Sequence, residues 1–292
     1  MGNKFTGIIV PMITPFNENG SIDPEGVRKV VDHLVEARIS GIFALGTTGE
    51  AASIPSDDRR ELVKLTASAV SERAVLYAGI SGNCLRESLE AAGKYADTGA
   101  DALVAHPPYY YPVTDDDLCR YYEELADAVQ LPLILYNIPQ TTGVSIPPGT
   151  IESLSRHQNI VAIKDSENDL PRFEQVLDSL TARNDFTVLT GHMPFAAIGF
   201  RKGARGAVPM AGNSHPHEYR KLYDAAIAED WAALEKQQQV VDEISQNYHR
   251  DRVLGQALPE MKRVMSEMGL CQPHVLPPLR PVCPPPKSAT VA

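Results

Sequence analysis

Short runs rich in Val, Ile and Leu recur along the chain, each followed by a longer stretch in which apolar residues return every three or four positions among charged ones. The first pattern fits strands buried on both faces, and the second fits helices that cover them. Strands are predicted over Gly7–Met12, Gly41–Leu45, Ala74–Gly79, Ala102–His106, Leu131–Tyr136, Ile160–Lys164, Phe186–Thr190 and Gly206–Met210. Between them helices are predicted, including Pro24–Ala37, Ser56–Ser71, Arg86–Thr98, Asp115–Val129 and Leu170–Leu180. Caps are expected at Ser56-Asp57-Asp58 and Thr114-Asp115-Asp116-Asp117. Eight alternating units whose strands lack a wet face predict an α/β fold, a (β/α)8 TIM barrel. An open doubly wound sheet is the alternative, but it would place a Gly-rich loop after its first strand, where this chain has Pro11-Met12-Ile13-Thr14-Pro15-Phe16.

Past the eighth strand, Trp231–Gln246 and Val253–Glu267 also read as helices. The expected organisation is a catalytic barrel over residues 1–214, then the final barrel helix and a C-terminal helical extension over 215–281. A Pro-rich tail over 282–292 is expected to be extended or flexible. A length of 292 residues suits one large barrel. Lys and Arg number 27 against 37 Asp and Glu, a formal net charge of −10 with no basic stripe, which argues against a nucleic-acid partner. No apolar run reaches the roughly 18 residues of a membrane span, and no signal-peptide pattern precedes Ile8, so a cytoplasmic protein is expected. Cys84, Cys119, Cys271 and Cys283 lack CxxC spacing, which suggests neither a disulfide framework nor structural zinc.

The residue that changes this picture is Lys164, at the end of the apolar run Ile160-Val161-Ala162-Ile163. Burial there would strip hydration from the ammonium and favour the free amine, a nucleophile that condenses with ketones to give an imine. Taken alone, such a lysine reads more simply as one that snorkels to water. In a barrel, however, the strand C-termini share one mouth. The second strand ends in Gly46-Thr47-Thr48-Gly49-Glu50, the fourth in Pro107-Pro108-Tyr109-Tyr110-Tyr111, the fifth in Tyr136-Asn137-Ile138-Pro139 and the seventh in Gly191-His192. An amine, phenols and hydroxyls thus converge.

Taken together, Gly46-Thr47-Thr48-Gly49-Glu50, Tyr136-Asn137-Ile138-Pro139 and Ile163-Lys164-Asp165-Ser166 resemble the N-acetylneuraminate lyase and dihydrodipicolinate synthase family of pyruvate-dependent class I aldolases and dehydratases. The resemblance runs from Gly7 to about Pro281. It implies Lys164 as the Schiff-base residue for pyruvate or another 2-keto acid, with no cofactor beyond that covalent imine. It implies Tyr136 as general acid/base, Thr47 and Thr48 as the carboxylate site and Val208 as a backbone carbonyl nearby. In synthase members Tyr110 would enter a neighbouring subunit's proton relay, implying a homodimer or homotetramer.

Departures from the family pattern point to a branch. Synthases place an arginine after the Tyr-Asn-x-Pro motif for the carboxylate of aspartate semialdehyde; this chain has Thr141, which offers no bidentate cation. Lysine-inhibited synthases carry histidine near the segment where this chain has Ser56 and Arg59, so lysine inhibition is not expected. Sialic acid lyases carry acids after the seventh-strand glycine, where Gly191-His192-Met193-Pro194 has none. The reading that remains is an aldolase or dehydratase whose second substrate is a 2-keto-3-deoxy sugar acid or related hydroxy-oxo acid, with Thr141, His192 and Asn213 as candidate contacts. A genuine 4-hydroxy-tetrahydrodipicolinate synthase is the alternative. More remote are a metal-dependent aldolase using His106, His192, His215 or His217, and a barrel that binds a keto acid without turnover.

Overall fold

The computed structural model describes residues 4–282. Eight parallel strands close into a barrel in sequence order: β1 (Gly7–Pro11), β2 (Gly41–Ala44), β3 (Val75–Gly79), β4 (Ala102–Ala105), β5 (Leu133–Asn137), β6 (Ile160–Asp165), β7 (Thr187–Thr190) and β8 (Gly206–Ala207). Closure by β8 on β1 rules out the open doubly wound sheet, and every strand is paired on both edges.

The helices are α1 (Pro24–Glu36), α2 (Ser56–Val70), α3 (Leu85–Ala96), α4 (Asp115–Ala128), α5 (Pro139–Thr142), α6 (Pro148–Leu154), α7 (Leu170–Leu180), α8 (Ala196–Arg201), α9 (Pro216–Ile227), α10 (Trp231–His249) and α11 (Leu254–Glu267). The Thr114 cap forms as expected: its hydroxyl accepts from Asp117 N–H at 3.2 Å while the Asp117 carboxylate takes the Thr114 N–H at 3.1 Å. Ser56 does not cap α2. Pro55 occupies the cap position and Ser56 is the first helical residue, leaving Asp57 and Asp58 to complement the helix dipole. The eighth strand stops at Ala207 rather than Met210, because the Val208 N–H turns to Thr190 O and Met210–Asn213 forms a 3₁₀ turn. Residues 283–292, most of the expected Pro-rich tail, lie outside the described residues.

Period-2 alternation along the strands sends one set of side chains inward and the other outward. The inward set, including Ile9, Phe43, Tyr77, Val104, Ile134, Tyr136, Ala162 and Leu189, fills the barrel. The outward set packs on the helices in the larger core, for example Ile8, Ile42, Leu135 and Ile163 against Val30, Tyr122, Leu154 and Leu222. Each such buried side chain contributes roughly 1.5–3 kcal/mol. Lys164 is two residues past the inward Ala162, so the same alternation aims it into the barrel mouth. No helix among the described residues is long and apolar enough to cross a membrane.

Candidate active site

Tyr136 and Lys164 are direct register partners on β5 and β6. Lys164 is only 6% exposed, and its Nζ lies 3.8 Å from the centroid of the Tyr136 ring and 5.1 Å from that of Phe43. Among the described residues it takes part in no salt bridge, so aromatic faces rather than a carboxylate surround the amine. The Tyr136 hydroxyl is 3.3 Å from Thr47 Oγ1, which joins the phenol to the turn after β2.

That turn is wound tightly. Gly49 N–H donates to Gly46 O at 3.0 Å and Glu50 N–H to Thr47 O at 3.1 Å, leaving Thr47 and Thr48 at its tip. Leu45 and Glu50 bracket it with left-handed backbones (φ 59° and 58°), a conformation that costs a side-chain-bearing residue about 1–2 kcal/mol each. Glu50 is anchored from below. Its Oε1 lies 2.6 Å from Lys262 Nζ on α11, both side chains being 1% exposed, and its Oε2 accepts the Leu276 N–H at 2.8 Å. Burial pushes the Lys262 ammonium below its ordinary value, and Glu50 partly offsets this.

A polar lattice fixes the strand ends beneath the amine. Asn137 donates to Asp165 and Glu167 at 2.9 Å each and accepts the Ile146 N–H at 3.0 Å. Arg172 of α7 reaches Asp165 at 2.6 Å, Glu167 at 3.0 Å and Ile146 O. Both carboxylates are thereby compensated, and the backbone that carries Tyr136 and Lys164 is held from both sides. Gly191 is required at the end of β7: a Cβ there would come within 2.1 Å of Ser166 Oγ and 2.9 Å of Asp165 O.

A cavity of about 600 Å³ opens above Lys164. Of the residues predicted from sequence, Lys164, Tyr136, Thr47, Thr48, Val208, Thr141 and His192 line it. Val208 presents its backbone just past β8, held by its N–H to Thr190 O at 2.9 Å. Thr141 is on the exposed rim, its hydroxyl turned to Ile138 O at 3.3 Å. Tyr110 does not line the cavity. It is 73% exposed and stacks edge-on against Tyr111 at 5.0 Å, with its N–H on Asn83. Asn213 is also absent from the lining; it is fully buried, its amide tying Pro11 O, Met210 O and the Ile13 N–H together at 2.8–3.0 Å.

Of the histidines considered as metal ligands, two are occupied separately: His106 bonds Pro107 O and His215 bonds Ser214. Among the described residues no group of three or more His, Cys, Asp or Glu is arranged to hold a metal. Sequence reasoning missed the far wall of the cavity, supplied by Asp242, Ser245, Gln246 and His249 of α10. Their spacing puts all four on one helix face, a polar stripe that without a fold reads as solvent-exposed.

An amine buried among aromatic rings at the mouth of a closed parallel barrel is the equipment of an enzyme that forms imines with carbonyl compounds, and the chain is a class I lyase of that kind. It belongs to the dihydrodipicolinate synthetase family, whose profile matches residues 4–289. YagE of Escherichia coli K12, provisionally named a 2-dehydro-3-deoxy-D-gluconate aldolase, is 31% identical over 97% of this chain and 94% of its own length. The 4-hydroxy-tetrahydrodipicolinate synthase of Geobacter metallireducens is 33% identical over 95% of this chain and 93% of its own. Among solved structures, that of E. coli YagE in complex with pyruvate superposes with a TM-score of 0.90 at 30% identity, over 96% of this chain and 94% of that one. Dihydrodipicolinate synthase from Bacteroides thetaiotaomicron gives 0.91 at 32%, over 97% and 95%.

Proposed function

We propose that Lys164 Nζ adds to the C2 carbonyl of pyruvate or a longer 2-keto acid and that the resulting carbinolamine loses water to give the imine. In the condensing direction a proton leaves C3, the enamine carbon attacks an aldehyde, the new alkoxide takes a proton, and water releases the product and restores the amine. Cleavage runs the same steps backwards. The observation that carries this reading is the placement of Lys164: buried, aimed into the cavity, and in register with Tyr136. Tyr136 is the general acid/base: it stands in register with Lys164, and its hydroxyl is 3.3 Å from Thr47 Oγ1. Thr47 and Thr48 take the keto acid's carboxylate with hydroxyls and the N–H groups of the turn, and the Val208 carbonyl lies beside them. The pyruvate bound in the YagE structure supports the choice of first substrate.

The cleaved substrate is a 2-keto-3-deoxy sugar acid or a related hydroxy-oxo acid. Synthase activity on aspartate semialdehyde is the weaker reading, because among the described residues no arginine lines the cavity and Thr141 sits where a synthase's cation would be expected. Tyr110 serves a neighbouring copy's site: its exposure and its distance from its own chain's cavity suit a homodimer or homotetramer in which it crosses the interface. The working compartment is the cytoplasm, in keeping with scattered free thiols such as Cys84, Cys119 and Cys271. The test is a panel of aldehydes offered with pyruvate, read by pyruvate depletion. Turnover with a hydroxyaldehyde and not with aspartate semialdehyde is expected, and the reverse preference would move the chain to the synthase branch.

A further inference from the structure

The far wall of the cavity is built by α10, and nothing in the Lys164 chemistry uses it. Among the described residues Asp242 is the only carboxylate in the lining, and Lys164, deep at the end of β6, is the only lysine or arginine. One oxygen of Asp242 accepts from Gln238 Nε2 at 2.8 Å; the other has no partner among the described residues. Gln238, itself 9% exposed, also donates to Met193 O at 3.0 Å and accepts the Ala197 N–H at 2.9 Å. One buried amide therefore locks α10 to the segment that follows His192, so Asp242 stands on a fixed wall. His192 is held by Phe195, ring centroids 4.5 Å apart, and shares the lining with Ser245 and His249.

We propose that α10 carries the selectivity for the second substrate, and that Asp242 makes that substrate an uncharged, hydroxyl-bearing aldehyde rather than one that carries a carboxylate. An ionised carboxylate only accepts hydrogen bonds, so it receives hydroxyls and repels a second anion. The imidazoles do not reverse that preference, since burial pushes the His192 and His249 rings below their ordinary value and His249 adds to the effect at His192. Arg250 is exposed and bonded to Gln246 Oε1 at 3.2 Å, and the bond from Gln238 offsets part of the upward push that burial gives the Asp242 carboxyl. Ser245 and the two imidazoles then supply the donors and acceptors that a polyhydroxylated chain needs on its other positions. The inference rests on the Lys164 reading and says which partner the enamine accepts.

The experiment compares kcat/KM for D-glyceraldehyde and for succinate semialdehyde, each with pyruvate, in the wild type and in Asp242→Asn. Asparagine keeps an acceptor for Gln238 Nε2 while removing the charge; Asp242→Ser is the second variant should the first fold poorly. The expected result is a wild-type preference for glyceraldehyde that falls by roughly tenfold to a hundredfold in the variants. An unchanged ratio, or a wild type that prefers the anionic aldehyde, overturns the proposal. Borohydride trapping of pyruvate on the wild type separates the two layers of argument. Trapping without turnover of glyceraldehyde sinks the Asp242 assignment alone, whereas absence of trapping sinks the imine reading beneath it.

Discussion

Replacing Lys262 by methionine should destabilise the protein through the Thr47-Thr48 turn rather than through α11 itself. In the wild type its Nζ lies 2.6 Å from Glu50 Oε1, donates to His274 O at 2.7 Å and sits 4.0 Å from the centroid of the Phe16 ring. Methionine matches the stem and its contact with Phe16 but removes the charge. Glu50 is then a buried carboxylate with only the Leu276 N–H for compensation. An orphaned buried charge of this kind costs about 3–5 kcal/mol. At the roughly 2 °C per kcal/mol suited to a chain of this size, Tm falls by about 6–10 °C. Glu50→Gln in the same background removes the orphaned charge and leaves an acceptor for Leu276, so the double variant should regain at least ~2 kcal/mol over Lys262→Met. Because Glu50 also holds a left-handed backbone at the edge of the Thr47-Thr48 turn, the single variant should raise KM for pyruvate more than it lowers kcat. Melting curves and urea titrations measure the first effect, and steady-state kinetics the second. A Lys262→Met melt within about 1 °C of wild type, or a double variant less stable than the single, would refute the reasoning.

Other expectations follow from the same geometry. Tyr136→Phe should lower kcat by roughly 10²–10⁴-fold while pyruvate trapping on Lys164 persists; a kcat within a few-fold of wild type would contradict the general acid/base role. Arg172→Leu strips the compensation from Asp165 and Glu167, so a loss of about 3–5 kcal/mol should appear in denaturant titrations, with a change under ~1 kcal/mol arguing against the lattice. Burial holds His33, His106, His192, His215 and His249 below the ordinary histidine value of 6.5. The unfolded chain therefore binds more protons than the folded one as pH falls below that value, and stability declines with it. Arg-paired Asp185 and Glu260, held low by hydrogen bonds from Arg183 and Arg263, add to the decline at more acid pH, while Asp242, raised by burial, opposes it. Tm should drop between about pH 7 and pH 5.5, and a rising Tm over that interval would contradict the assignment.

The barrel was readable because its strands are apolar on both faces and its helices are amphipathic, two periods that local sequence states directly. β8 was overdrawn, since Val208, Pro209 and Met210 look like strand by composition, yet the chain leaves the sheet when Val208 N–H turns to Thr190. The position of the two threonines, Tyr136 and Lys164 at the cavity was legible because each lies within a run whose end the pattern marks. The far wall was not: Asp242 and His249 belong to a helix after the barrel, and only the packing of α10 on the turns following β7 and β8 brings its polar stripe over the mouth. The Glu50–Lys262 pair was hidden for the same reason, its partners meeting only when α11 folds beneath the β2 turn. Asn213, a plausible contact by position, is spent entirely on backbone groups.

The central claim is that Lys164 is the nucleophile, and borohydride reduction in the presence of pyruvate followed by peptide mass spectrometry tests it without knowledge of the second substrate. The expected result is a reduced pyruvate adduct confined to the peptide that contains Lys164 and absent from Lys164→Ala. An adduct on another lysine, or none while pyruvate binding is shown by calorimetry, would contradict it.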